Sequence, residues 1–169
     1  MEKLDRHDGA ILSLLGYAAA RSQLFEFAML KLLEVQRHDL SVPLDERWTE
    51  IERWLTTFTA GRMAKELRVP EALAADLRAV VDRRNVVTHH SYRFYVARRE
   101  KVGDRAVEEY TDWFDEQAAT LGYAYNGLMA IVSARRDDSA TDDEAVLELW
   151  RESVPAPVEG MSIPGQAQA

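Results

Sequence analysis

Between Asp8 and Gln36 apolar residues recur at intervals of three and four, as Ile11, Leu14, Leu15, Ala18, Leu24, Phe25, Ala28, Met29, Leu32 and Leu33. That is the period of an α-helix and not the alternation of a strand, so the chain is expected to begin with one long helix. Phe27, Leu30 and Val35 add apolar groups on its other faces. A helix apolar nearly all round needs cover on more than one side, from its own bundle and from a second copy of the chain.

The same period returns three times. Asp39 to Pro43 breaks the first helix, and Asp45 or a neighbour caps a second in which Trp48, Ile51, Leu55 and Phe58 step by three, four and three. Met63 and Leu67 continue that pattern past Gly61, which reads as a glycine inside a helix that lets another helix approach. Pro70 suits the first turn of a third helix carrying Leu73, Leu77, Val80 and Val81. Residues 91–104 read as a kinked helix end and then a loop, because Tyr92-Arg93-Phe94-Tyr95-Val96 has strand-like residues and Gly103-Asp104 is turn-like. A fourth long helix follows through Tyr110, Trp113, Phe114, Ala118, Leu121, Tyr125, Leu128, Met129 and Val132. Thr141-Asp142-Asp143-Glu144 is a capping box for a short helix through Val146, Leu147, Leu149 and Trp150.

Four main helices with short connections imply an all-α antiparallel four-helix bundle with a short extra C-terminal helix. The bundle spans residues 1–137 and the acidic C-terminal helix 138–153, while Pro, Gly, Gln, Ala and Ser in 154–169 read as a disordered tail. Trp48, Trp54 and Trp113 are expected to anchor the core.

Composition narrows the chemistry. The chain has no cysteine among its 169 residues, so thiolate nucleophiles and cysteine metal sites are excluded, and a reducing cytoplasm fits. The charged start and the early Arg21 leave no signal peptide or membrane anchor in view. No Gly-rich phosphate loop, zinc motif or acidic ligand cluster is present, and no metal or cofactor is expected. Net charge is −8, yet between Arg78 and Arg105 eight Lys/Arg face three acids, a local +5 that leaves −13 for the rest. A basic segment on an acidic body suits a local anionic ligand better than a long duplex.

Within that segment stands Arg83-Arg84-Asn85-Val86-Val87-Thr88-His89-His90-Ser91-Tyr92. Arg offers a planar fork of donors to phosphate oxygens, and His gives or takes a proton near neutral pH. Cleaving RNA through its own 2′-hydroxyl needs a base for that proton, a cation for the phosphorane and an acid for the leaving oxygen, and His with Arg supply these without metal. On a regular helix Arg84 and His89 lie about 140° apart, so either the helix ends near Thr88, or the Arg side chain curls round, or a twofold axis brings two copies together.

Arg84-Asn85-Val86-Val87-Thr88-His89 resembles the Arg-x4–6-His motif of the HEPN superfamily, which lies near the end of the third helix of a four-helix bundle. The first helix with Gly16 and Glu26 and the stretch Phe58-Thr59-Ala60-Gly61-Arg62-Met63 are also similar to bacterial HEPN-like proteins, so the resemblance runs from about Leu4 to Met129. It implies a metal-independent ribonuclease acting as a homodimer, in toxin–antitoxin or phage-defence systems, on RNA in the cytoplasm. Arg84 and His89 would then be catalytic, with Asn85, Arg83, His90 and Glu26 supporting or binding phosphate. One toxin branch ends the motif in His-x-Tyr and can have its tyrosine modified by a partner nucleotidyltransferase; His90-Ser91-Tyr92 supplies that triplet with Tyr92 as the modification site if His90 is the motif histidine.

Each residue also has a plainer role open to it. Arg84 can neutralise Glu26 in a buried pair, Asn85 can cap a helix end, one of the adjacent histidines can be merely exposed, and Tyr92, Phe94 and Tyr95 can cover a core. Two functions therefore stand side by side: a ribonuclease, and a non-catalytic HEPN-like module that binds a nucleotide, RNA or protein.

Overall fold

The computed structural model describes residues 6–139, 142–156, 158 and 161–165. Among them every regular element is helical: α1 (Arg6–Arg37), α2 (Leu44–Thr57), α3 (Ala60–Glu66), α4 (Glu71–His89), α5 (Ser91–Val102), α6 (Arg105–Arg136) and α7 (Asp143–Ser153). No helix among them is long and apolar enough to cross a membrane.

The helix expected to continue through Gly61 stops instead at Phe58. Phe58 and Thr59 are extended (ψ 125° and 161°), and the Thr59 hydroxyl accepts from the Arg62 N–H at 3.3 Å, capping α3. A β-branched cap followed by helix formers reads as helix interior by apolar period alone, which is why the break was hidden. The chain reverses here. Arg47 at the start of α2 pairs with Glu34, Leu55 and Phe58 lie beside Gln23 and Phe27, and α3 climbs back until Glu66 pairs with Arg37 and the Arg68 N–H donates to Gln36.

That hairpin changes the sense in which the later helices run. α4 and α5 descend along α1, with Arg84 at Glu26 and Tyr95 and Arg99 at Asp8, and α6 turns back at Gly103. Tyr110 meets Tyr95 beside Asp8, Arg21 packs on Gly122, and Arg136 acts on Glu34, so α1 and α6 run side by side in the same sense. In a simple up-down-up-down bundle the first and last helices would oppose each other.

Two apolar clusters fill the interior. Phe25, Met29, Leu32, Trp54, Leu77 and Leu128 belong to the larger, where α1, α2, α3, α4, α6 and α7 converge. Ile11, Val87, Tyr95, Tyr110, Trp113 and Phe114 belong to the smaller, around α5. Trp54 and Trp113 are buried as expected, but Trp48 is 48% exposed and anchors nothing. Glu34 is buried between Lys31 and Arg47; burial works to raise its carboxyl, and the two cations outweigh that and hold it below the usual range.

α5 replaces the expected loop. Gly103 at φ 62° ends it in a conformation that glycine tolerates. α7 is capped by Asp142, whose carboxylate accepts from the Ala145 N–H at 2.8 Å; the expected cap at Thr141 lies outside the described residues. Trp150 of α7 seats on Gly127 and donates its indole N–H to Asp76 at 2.8 Å. The segment after 153, expected to be a disordered tail, contributes packed residues where it is described: Val154 is buried, Met161 and Ile163 pack on the smaller cluster, and Trp113 donates to the Ser162 carbonyl at 2.9 Å.

Candidate functional site

α4 bends into α5 at His90 (φ −128°, ψ −25°), where the helix is interrupted for one residue, although the His90 N–H still donates to Val86 and the His90 carbonyl accepts from Phe94. Two hydroxyls bond back onto this turn: Thr88 donates to the Arg84 carbonyl at 2.9 Å and Ser91 to the Val87 carbonyl at 2.7 Å. Such back-bonding competes with the backbone ladder and bends helices. The bend sits where the motif histidines fall.

Beside it Arg84 and His89 meet within one chain. Arg84 Nη1 donates to Asn85 Oδ1 at 3.0 Å and contacts His89 Nε2 at 3.3 Å, while Nη2 forms an ion pair with Glu26 of α1. Guanidinium can only donate, so a hydrogen bond here needs Nε2 of His89 as the acceptor. The long Arg side chain thus spans the angle that helical spacing put between the two residues. The Arg84 and Glu26 side chains are 19% and 26% exposed, and His89 is open to solvent. A cation, a proton acceptor and an amide converge there on an accessible surface. Asn85 caps nothing; it belongs to the Arg84 cluster.

The other expected residues are elsewhere. Arg83 is 93% buried from solvent on the face of α4 toward α6, where its guanidinium donates to Gln117 at 2.9 Å and Glu116 at 3.1 Å. His90 points away from Arg84 and takes a contact from Arg93 at 3.2 Å, with its ring 6.1 Å from Phe94. Tyr92 is exposed, whereas Tyr95 is buried in the smaller cluster.

Nor is the basic segment a patch of unpaired charge. Arg98 grips Glu109 through two hydrogen bonds, Arg99 binds Asp8, Arg78 binds Glu71, and Arg105 also reaches Glu109. The first of these pairs holds the Arg98 guanidinium above its usual range and the Glu109 carboxyl below its own. Burial raises the Tyr110 hydroxyl to about 12 and that of Tyr95 in the same direction, the latter with Arg99 working against it.

A concavity of about 440 Å3 lies away from this cluster, between Arg83, Glu116, Tyr123 and the Val154-Pro155-Ala156 segment. A smaller cavity of about 170 Å3 adjoins the cluster through Glu26 and is lined also by Gln23, Phe27, Trp54, Leu55 and Phe58. Among the described residues no three or more His, Asp or Glu gather as metal donors. The chain matches no family model, no curated protein and no solved structure.

Proposed function

We propose that this protein is a metal-independent endoribonuclease of HEPN type, working through Arg84 and His89 as a toxin or phage-defence effector. The observation that carries the reading is the 3.3 Å contact between the Arg84 guanidinium and His89 Nε2 at a solvent-open helix bend. In this reading α1, α2 with α3, α4 with α5, and α6 stand for the family's four bundle helices, and α7 is appended.

An RNA phosphate displaces Arg84 Nη1 from His89 and takes its hydrogen bond, leaving Nε2 to accept the 2′-hydroxyl proton. The 2′-oxygen bonds to phosphorus, Arg84 stabilises the added negative charge, and the bond to the 5′-oxygen breaks as that oxygen is protonated. In-line displacement sets entering and leaving oxygens on opposite sides of phosphorus, so base and acid are two imidazoles. A homodimer supplies one from each copy, and α1 carries the apolar surface for it: Tyr17 and Leu24 are 50% and 41% exposed. An antitoxin partner belongs to the same reading, with Tyr92 exposed for modification.

The test is incubation of the purified protein with single-stranded RNA in excess EDTA. Cleavage leaving 2′,3′-cyclic phosphate ends supports the reading.

The Arg84–Glu26 ion pair favours a second reading, a non-catalytic module that binds RNA, a nucleotide or a protein, because it gives Arg84 a structural partner. A folded protein inert toward a broad RNA panel selects it.

A further inference from the structure

We infer that the cavity beside Glu26 is a subsite for one nucleobase of the RNA held at Arg84 and His89, an inference that rests on the ribonuclease reading. Glu26 joins the two places: it pairs with Arg84 and lines the cavity. A base seated there has its own phosphate within reach of the Arg84 guanidinium.

The lining suits a base. Trp54, wholly buried, forms part of its wall. Phe27 and Leu55 are 45% and 57% exposed at the same cavity, which leaves an aromatic face and an aliphatic edge open to a flat ring. Size excludes larger ligands: about 170 Å3 is well below the roughly 300–1,000 Å3 of sites for drug-sized molecules, and it accommodates a single ring system. A second cation adjoins the cavity through Phe58, over whose ring the exposed Arg62 guanidinium sits at 4.2 Å. A single strand crossing the cavity therefore meets a guanidinium at Glu26 and another at Phe58, with a base between them.

The experiment maps the cut in a short RNA and then replaces each flanking base in turn with an abasic ribonucleotide. Cleavage by the wild type and binding by the non-cleaving His89→Ala protein are both measured. At one flanking position the abasic RNA should lose about tenfold or more in kcat/KM and in affinity, the scale of one base stacked on an aromatic side chain. Phe27→Ala should bring intact RNA down to that level, and combining it with the abasic RNA should add no further loss. Phe27 is half exposed, so its truncation leaves the core in place. RNA that is cut and bound equally well with or without a base at every flanking position overturns the inference and leaves the ribonuclease reading standing. Phe27→Ala that becomes monomeric by sedimentation and loses activity on all RNAs equally makes the cavity a subunit contact and overturns it too. A protein that neither binds nor cuts any RNA overturns both.

Discussion

Glu26 of α1 and Arg84 of α4 form an ion pair that fixes the guanidinium against His89. The carboxylate thus both aims the one cation of the motif and cancels part of its charge. Removing the charge while keeping the shape separates these effects. Glu26→Gln should raise affinity for RNA, lower kcat by roughly tenfold because Arg84 is no longer held in place, and cost about 1–2 kcal/mol of stability, between the values for exposed and fully buried pairs. Steady-state kinetics with urea unfolding check it. An unchanged kcat would leave Glu26 a structural partner only.

The two adjacent histidines should differ sharply. His89→Ala is expected to lose about 10²–10⁴-fold in cleavage rate, the usual weight of a general acid or base, and Arg84→Ala to lose activity while its circular dichroism stays helical. His90→Ala should have a small effect, since His90 is turned toward Arg93 and Phe94. The reverse outcome would move the motif to His90-Ser91-Tyr92, with Tyr92 as the modification site.

Alkali should unfold the protein through its buried tyrosines. The Tyr110 hydroxyl is raised to about 12 by burial, so the unfolded chain loses this proton first, near the ordinary value of about 10. Stability is then fully present below pH 10 and falls by about 2–3 kcal/mol between pH 10 and 12. Urea midpoints at pH 8 and 11.5 measure the drop, and Tyr110→Phe should reduce it.

Gly127 leaves no room for a side chain. A Cβ there would lie 2.7 Å from Cε3 of Trp150, whose ring is buried and rigid. Gly127→Ala should therefore destabilise by about 1–3 kcal/mol, in spite of the better helix propensity of alanine, and should release α7. Urea unfolding followed by tryptophan fluorescence reads this out; a variant as stable as the wild type would mean that the ring shifts at no cost.

Self-association should run through the open face of α1. Leu24→Asp is expected to turn a micromolar dimer into a monomer in sedimentation equilibrium, with the fold unchanged, because Leu24 is 41% exposed and holds no core contact. A wild-type monomer at that concentration would remove the two-imidazole mechanism.

The apolar period made α1, α4 and α6 legible in the sequence, because each long helix buries a stripe that must repeat at the turn of the helix. It could not show where a helix reverses, since Thr59 as a cap and Thr59 as a helix residue look alike between Phe58 and Met63. α5 was masked by alternating aromatics, of which Tyr95 faces the core and Tyr92 the solvent. At the site, the spacing of Arg84 and His89 suggested separation, and the length of the arginine side chain together with the bend at His90 undid it. For Arg83 the signal was present: Val80, Arg83 and Val87 step by three and four, which places this arginine on the apolar stripe and away from the Arg84–His89 cluster.

The same-sense pairing of α1 with α6 has a consequence for how the chain comes to be folded. Arg21 and Gly122 touch, yet all of α2 to α5 is synthesised between them. Contacts this distant in sequence are costly to close and slow to form. On the ribosome α1 emerges well before α6 and waits, with Phe25, Met29 and Leu32 lacking their α6 neighbours, until that helix is made. That interval is when α1 is most open to chaperones and to pairing with another nascent copy.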